Sequence, residues 1–297
     1  MRERDVILLL AEKMEIGDDC SVIPFKETHL LLTTDMLHQK TDFPEGMNAY
    51  TIGWRTAAVS LSDIAAMGGQ PLALTVALGA PHFEKKVCEQ IRDGIVDCSK
   101  KFGVKHFGGD LDRHNELTLV SSALGEAAKP VWRGGARAGD LVAITGELGR
   151  SAAALEFFKQ QEYKMANELA CFTPRIPEGL ALAPFATSMM DISDGLARSL
   201  YQLAKASQIG FKIDGGQLPF SVEAEEFART QEELFELCIH TGEDFELLFT
   251  LASENLMEAR RACEFVVIGQ VTESKIQMKL GTELIDIPDR GYEHGKQ

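Results

Sequence analysis

Six aspartates carry the chemistry that this sequence can do. Asp19, Asp35, Asp63, Asp110, Asp191 and Asp194 stand in the contexts Gly17-Asp18-Asp19, Thr33-Thr34-Asp35, Leu61-Ser62-Asp63, Gly108-Gly109-Asp110 and Asp191-Ile192-Ser193-Asp194-Gly195. Carboxylates beside hydroxyls offer oxygen ligands only, the donor set of hard divalent cations. Each motif alone is a turn former or a helix N-cap. Together they describe a cation site able to receive phosphate. Asp63 adds a physical argument. It falls late in an apolar helical stretch, where a buried carboxylate is costly without a partner such as a metal.

Other catalytic patterns fail. Gly146-Glu147-Leu148-Gly149-Arg150-Ser151 suggests a phosphate loop, but its glycines are too close and Arg replaces Lys. There is no G-x-G-x-x-G after a strand, no H-E-x-x-H and no nucleophile elbow. The net charge is −15 over 297 residues, which argues against nucleic acid and anionic membrane as partners. Bound cations reconcile that charge with an anionic substrate. The six Cys form no C-x-x-C pair, so free thiols in a reducing cytoplasm are expected. The apolar run at 6–11 is too short for a membrane span.

The elements that must position these residues alternate between the two periodicities. Helical spacing covers 5–14, 48–67, 84–102, 150–158, 178–185, 195–207 and 253–263. Strands are expected at 22–25, 29–34, 72–78, 105–107, 117–126, 141–145, 189–192, 211–214, 245–250 and 265–271. On this reading Asp35 and Asp110 follow strand ends, where α/β sites gather. The Gly- and charge-rich stretch 133–140 marks a domain boundary. The mixture indicates an α+β fold with domains 1–137 and 138–297.

Taken in order, these motifs resemble the thiamine-monophosphate kinase family, in the superfamily of aminoimidazole ribonucleotide synthetase and selenophosphate synthetase. Leu61-Ser62-Asp63-Ile64-Ala65-Ala66-Met67-Gly68 is the most specific string. Gly242-Glu243-Asp244-Phe245-Glu246-Leu247 and Gly291-Tyr292 extend the likeness toward the C-terminus. The resemblance implies a two-domain synthetase-type fold. Its N-terminal mixed sheet dimerises, and its C-terminal α/β domain completes the nucleotide and substrate site. It implies ATP as co-substrate, several Mg²⁺ ions and thiamine monophosphate as acceptor. Asp19, Thr33, Thr34, Asp35, Asp63, Asp110, Asp191 and Asp194 match metal positions, with Asp35 and Asp110 assigned to catalysis. Gly109, Asp110, Arg133 and Ser193 match ATP contacts; Glu243 and Tyr292 match substrate contacts.

Three positions depart from the family pattern: Ser60 replaces Asn, Leu111 replaces Thr, and Asp42 replaces a substrate-contacting His. An ionised Asp cannot donate to phosphate. Three readings are open: Asp42 binds an extra Mg²⁺ that bridges to phosphate, it faces the cationic thiazolium, or it points to solvent while His38 or Lys40 of the same loop supplies the donor, which is the reading favoured here. Another ATP-dependent synthetase or kinase of the superfamily, with a different small substrate, is the alternative function; a catalytically silent nucleotide-binding homologue is the second.

Overall fold

The computed structural model describes residues 3–14 and 17–293. After α1 (Glu3–Ala11), the first half contains β1 (Ser21–Phe25), β2 (Thr28–His38), α2 (Ala49–Ala66), β3 (Gln70–Ala80), α3 (Lys85–Lys101), β4 (Lys105–Arg113) and β5 (Thr118–Ala127). The strands form one sheet in the order β1-β2-β5-β3-β4, antiparallel except for the β3–β4 pair. Helices α2 and α3 pack against each other, and α2 also contacts β2, β3 and β5. Leu31, Leu74, Leu119 and Ala123 are fully buried in this core.

Helix α2 is apolar on most sides because it is covered on most sides. Asn48 caps its first turn, its side chain accepting from the Thr51 amide at 2.8 Å. The interior contains no proline, and Gly68 ends it with a positive φ of 65°. Beyond the first sheet, α2 touches α6 (Ile176–Leu182) and β7 (Ala186–Asp191) of the second half. One helix thus carries residues into both halves.

The second half adds β6 (Leu141–Ile144), α4 (Arg150–Lys159), α5 (Tyr163–Ala170), α7 (Leu196–Ser207), β8 (Gly210–Asp214), α8 (Val222–Glu225), α9 (Gln231–His240), β9 (Leu247–Leu251), α10 (Leu256–Ala262), β10 (Val266–Thr272), β11 (Ile276–Leu280) and β12 (Glu283–Asp286). Its sheet runs β12-β11-β8-β10-β6-β9-β7. β9 is buried at every position, as a continuous apolar run requires. The fold is α+β with two mixed sheets.

Several expected boundaries move. β2 continues through Asp35 to His38, so Thr33-Thr34-Asp35 lies within the strand and does not close it. β4 likewise runs through Gly108-Gly109-Asp110 to Arg113. The reason is pairing: Asp35 sits opposite Ser121, and Asp110 opposite Ala77, within continuous ladders. Neighbouring strands overrule turn-forming residue types. α8, α9, β11 and β12 lie outside every element that the periodicity predicts.

Candidate active site

Asp19 lies in the turn before β1, Asp63 near the end of α2, and Asp191 at the last residue of β7. Tertiary packing brings their carboxylate oxygens within 4.8 Å of one another. Hydroxyls orient them. Ser62 Oγ donates to Asp191 Oδ2 at 2.6 Å, across the two halves. Thr33 Oγ1 donates to Asp63. Ser60 Oγ donates to Asp35 Oδ2 at 2.7 Å and also meets Ser121 Oγ. Asp35 lies close enough for its charge to act on Asp63 and Asp191.

Arg133 is the cation bound to this group. Nη2 and Nε donate to the two oxygens of Asp19 at 2.7 and 3.2 Å, a bidentate pair. Nη1 donates to Gln202 Oε1 at 3.0 Å, and the Arg133 amide donates to Asp18 Oδ2 at 3.1 Å. Burial opposes the guanidinium's charge, but Asp19, Asp18 and Asp191 together outweigh it and hold the proton more tightly.

One arginine does not balance the acids. Burial, followed by the neighbouring Asp19, pushes Asp191 up to about 8. Burial and then Asp35, Asp191 and Asp19 raise Asp63 well above the usual carboxylate range. Burial raises Asp35 too, and burial with Asp19 pushes Asp18 up to about 6. Clustered carboxylates that resist ionising are stabilised by a divalent cation at the centre. The all-oxygen donor set suits a hard divalent cation, and Asp19, Asp63 and Asp191, with Asp35 and Thr33 beside them, are the residues that could hold it. Beside Asp19, an open groove along the β1 edge of the first sheet, lined also by Asp18, Thr33, Thr34 and Trp132, has a volume of about 860 Å³, within the range of small-ligand sites.

The remaining expected residues fall in three places. Thr34 and Asp110 lie on the opposite face of the first sheet. Thr34 Oγ1 meets Ser122 Oγ at 2.9 Å, and exposed Asp110 shares a row with Ala77, Val120 and Met36. Asp110 stands three strands from β2, about 14 Å at the usual strand spacing, so within one chain it does not join the cluster. Gly109 is dictated by packing, since an added Cβ would lie 1.6 Å from the Val76 carbonyl oxygen. Ser193 and Asp194 form the loop between β7 and α7. The Ser193 carbonyl accepts from the Glu243 amide at 2.7 Å, and the Asp194 carbonyl from the Tyr292 amide at 3.1 Å.

That loop leads to a second cavity. Asp42, Glu243 and Tyr292, far apart in sequence, line one pocket of about 130 Å³ together with Arg55, Ser151 and Phe158. A cavity of about 150 Å³ holds a benzene ring, so this one matches a single aromatic ring. Asp42 also ties its own loop, accepting from the His38 amide at 2.6 Å and from Thr41 Oγ1 at 2.7 Å. His38 lines the outer-face hollow beside Asp110, and Lys40 pairs with Glu116 at 3.7 Å. Neither lines the ring-sized pocket.

Arg55, Ser62 and Gln202 join the expected site residues here, and Ser60, which stands where the family has Asn, proves to be a carboxylate partner. A lone Arg within an apolar helix was the available signal for Arg55; it is 3% exposed and donates to Glu243 Oε1 at 2.6 Å. Ser62 lies inside the Leu61–Gly68 string and Ser60 directly before it, yet only the fold shows which acid each one orients.

Family comparisons converge on one group. Residues 17–127 match the AIR synthase related protein N-terminal domain and 137–280 its C-terminal domain. A thiamine-monophosphate kinase of Halobacterium salinarum is 41% identical over 94% of each chain. One of Methanospirillum hungatei is 38% identical over 94% of this chain and 93% of its own. Among solved structures, AaThiL complexed with AMPPCP and TMP superposes with a TM-score of 0.87 at 27% identity, over 98% of this chain and 95% of that one. With these relatives spanning nearly its full length, the chain belongs to the thiamine-monophosphate kinase family of AIR synthase related proteins.

Proposed function

We propose that the protein transfers the γ-phosphoryl group of ATP to the phosphate of thiamine monophosphate, giving thiamine diphosphate by in-line displacement. The observation that carries this reading is the pairing of two sites by one loop. Asp191 closes the acidic cluster, and three residues later Asp194 holds the backbone of Tyr292 at the ring-sized pocket. The AaThiL complex with AMPPCP and TMP supports it.

The acceptor needs no general base. A phosphate monoester has a second pKa near 6, so its oxygen is already anionic at neutral pH. The barrier lies in bringing two anions together in line. Bound Mg²⁺ supplies charge neutralisation there. In this reading Asp19, Asp35, Asp63 and Asp191 hold the cations, with Thr33, Thr34, Asp110 and Asp194 as further ligands. Arg133, Gly109 and Ser193 face the nucleotide. Arg133 is held by Asp18, Asp19 and Gln202, so its position does not have to be created on binding. Glu243, Tyr292 and Asp42 hold the thiamine end.

Asp110 fits this scheme through a second copy of the chain. The outer face of the first sheet exposes Ile23, Phe25, Leu32 and Met36, each more than 40% accessible, beside Thr34 and Asp110. Such an apolar sheet face calls for cover. We assign it to a homodimer that brings Asp110 toward bound nucleotide. The two domains, 1–137 and 138–297, meet around α2. No described helix is long and apolar enough to cross a membrane. Mass spectrometry after incubation with ATP, Mg²⁺ and thiamine monophosphate tests the activity. Thiamine diphosphate plus ADP is the expected outcome. Absence of thiamine diphosphate from a folded, ATP-binding protein refutes it.

A further inference from the structure

Arg55 is placed in a way that packing alone does not explain. It projects from the middle of α2 and is 3% exposed. Nη1 donates to the Ala170 carbonyl at 3.2 Å and Nη2 to Glu243 Oε1 at 2.6 Å. Its Nε is buried with no hydrogen-bond partner among the described residues. A buried guanidinium with an orphaned donor is costly, and an apolar residue of similar volume would serve docking better. The arginine is therefore retained for what it does to its partner.

That partner sits on a strained turn. Glu243 has φ 71° and Phe245 φ 51°, both left-handed and neither glycine. The turn is braced from the same side. Phe245 stacks on Phe172 at 4.1 Å between centroids, and the Arg55 guanidinium lies 5.7 Å from the Phe172 ring. Glu243 keeps a third of its side chain exposed and lines the ring-sized pocket. With Oε1 held by Arg55, Oε2 is the oxygen available to a ligand.

We propose that Arg55 is a positioning residue for substrate specificity: it clamps Glu243 so that Oε2 accepts a hydrogen bond from an amino group on the heteroaromatic ring in the pocket. The inference rests on the reading that this pocket takes the aminopyrimidine of thiamine monophosphate. A fixed carboxylate accepts from an amino group and repels a carbonyl oxygen at the same place. A site built this way discriminates strongly between the two.

The test compares thiamine monophosphate with oxythiamine monophosphate, in which oxygen replaces that amino group, using the full-length enzyme with ATP and Mg²⁺. Arg55→Met and Arg55→Lys are expected to raise KM for thiamine monophosphate by about tenfold or more, the scale of one hydrogen bond to a charged group. KM for ATP stays within about twofold, and Arg55→Met loses most of the discrimination between the two acceptors. Glu243→Gln reaches the same pair from its exposed side, so it serves if the Arg55 variants do not fold. It should lose the same discrimination, and the double variant should be no worse than either single one. Unchanged discrimination in folded variants overturns the inference, as does an equal rise in both KM values, which marks a merely structural residue. A wild-type enzyme that does not phosphorylate thiamine monophosphate at all overturns the underlying reading, and the inference with it.

Discussion

Asp191→Asn should make the cation-free protein more stable while disabling it. The side chain is fully buried, and burial with Asp19 beside it pushes the carboxyl from 3.8 up to about 8. A folded-state pKa above the unfolded value gives stability that is full below about pH 4 and is lost as pH rises toward 8. At pH 7 the unfolded group is ionised and the folded one keeps its proton. The difference of about three units is about 4 kcal/mol at 1.36 kcal/mol per unit. Asparagine has nearly the same shape, still accepts from Ser62 Oγ, and carries no such penalty. Relaxation around the cluster reduces the gain, so about 2–4 kcal/mol is expected. That corresponds to a rise in Tm of roughly 5–10 °C for units of this size. Thermal unfolding in chelator, from pH 4 to pH 8, measures it. The variant and the parent should converge near pH 4 and separate as pH rises. Added Mg²⁺ should then raise the parent's Tm much more than the variant's, while phosphoryl transfer falls about a hundredfold or more. A variant less stable than the parent at pH 7.5 without cation, or one keeping the full Mg²⁺ shift, would refute the account of the cluster as mutually repelling carboxylates held for a metal.

Other outcomes follow from the same geometry. Arg133→Met leaves Asp19 buried without its bidentate partner and should cost about 3 kcal/mol or more by chemical denaturation without cation, with a much smaller loss when Mg²⁺ is saturating. Tyr292→Ala removes one wall of the ring-sized pocket; KM for thiamine monophosphate should rise about tenfold while KM for ATP moves little, read from steady-state kinetics. Asp110→Asn should lower turnover about a hundredfold in a folded protein, and near-normal turnover removes Asp110 from the site. Met36→Glu puts a charge on the exposed sheet face, and light scattering should then show a monomer with little activity.

The fold was legible in the sequence where one periodicity ran unbroken. The α2 helix, the buried β9 strand and the α+β alternation could be read from apolar spacing, because burial selects residue types locally. The acidic motifs were legible only as a set: each alone reads as a turn or a helix cap, but together they offer one oxygen donor set. Strand ends were not. Whether 33–35 closes β2 or continues it depends on β5 lying alongside, and whether Gly108-Gly109 breaks a strand or packs against Val76 depends on β3. The division of the aspartates was equally hidden. Thr34 and Asp35 are adjacent in sequence but point to opposite faces because strand side chains alternate. Asp19, Asp63 and Asp191 meet only because α2 crosses from one half to the other. The pairing of Arg55 with Glu243 spans 188 positions, a distance over which no local pattern carries information. Sequence alone determined which groups this protein has for binding cations and phosphate; tertiary structure decided which of them share a site, because charges and hydrogen bonds act over a few ångströms and only folding sets those distances.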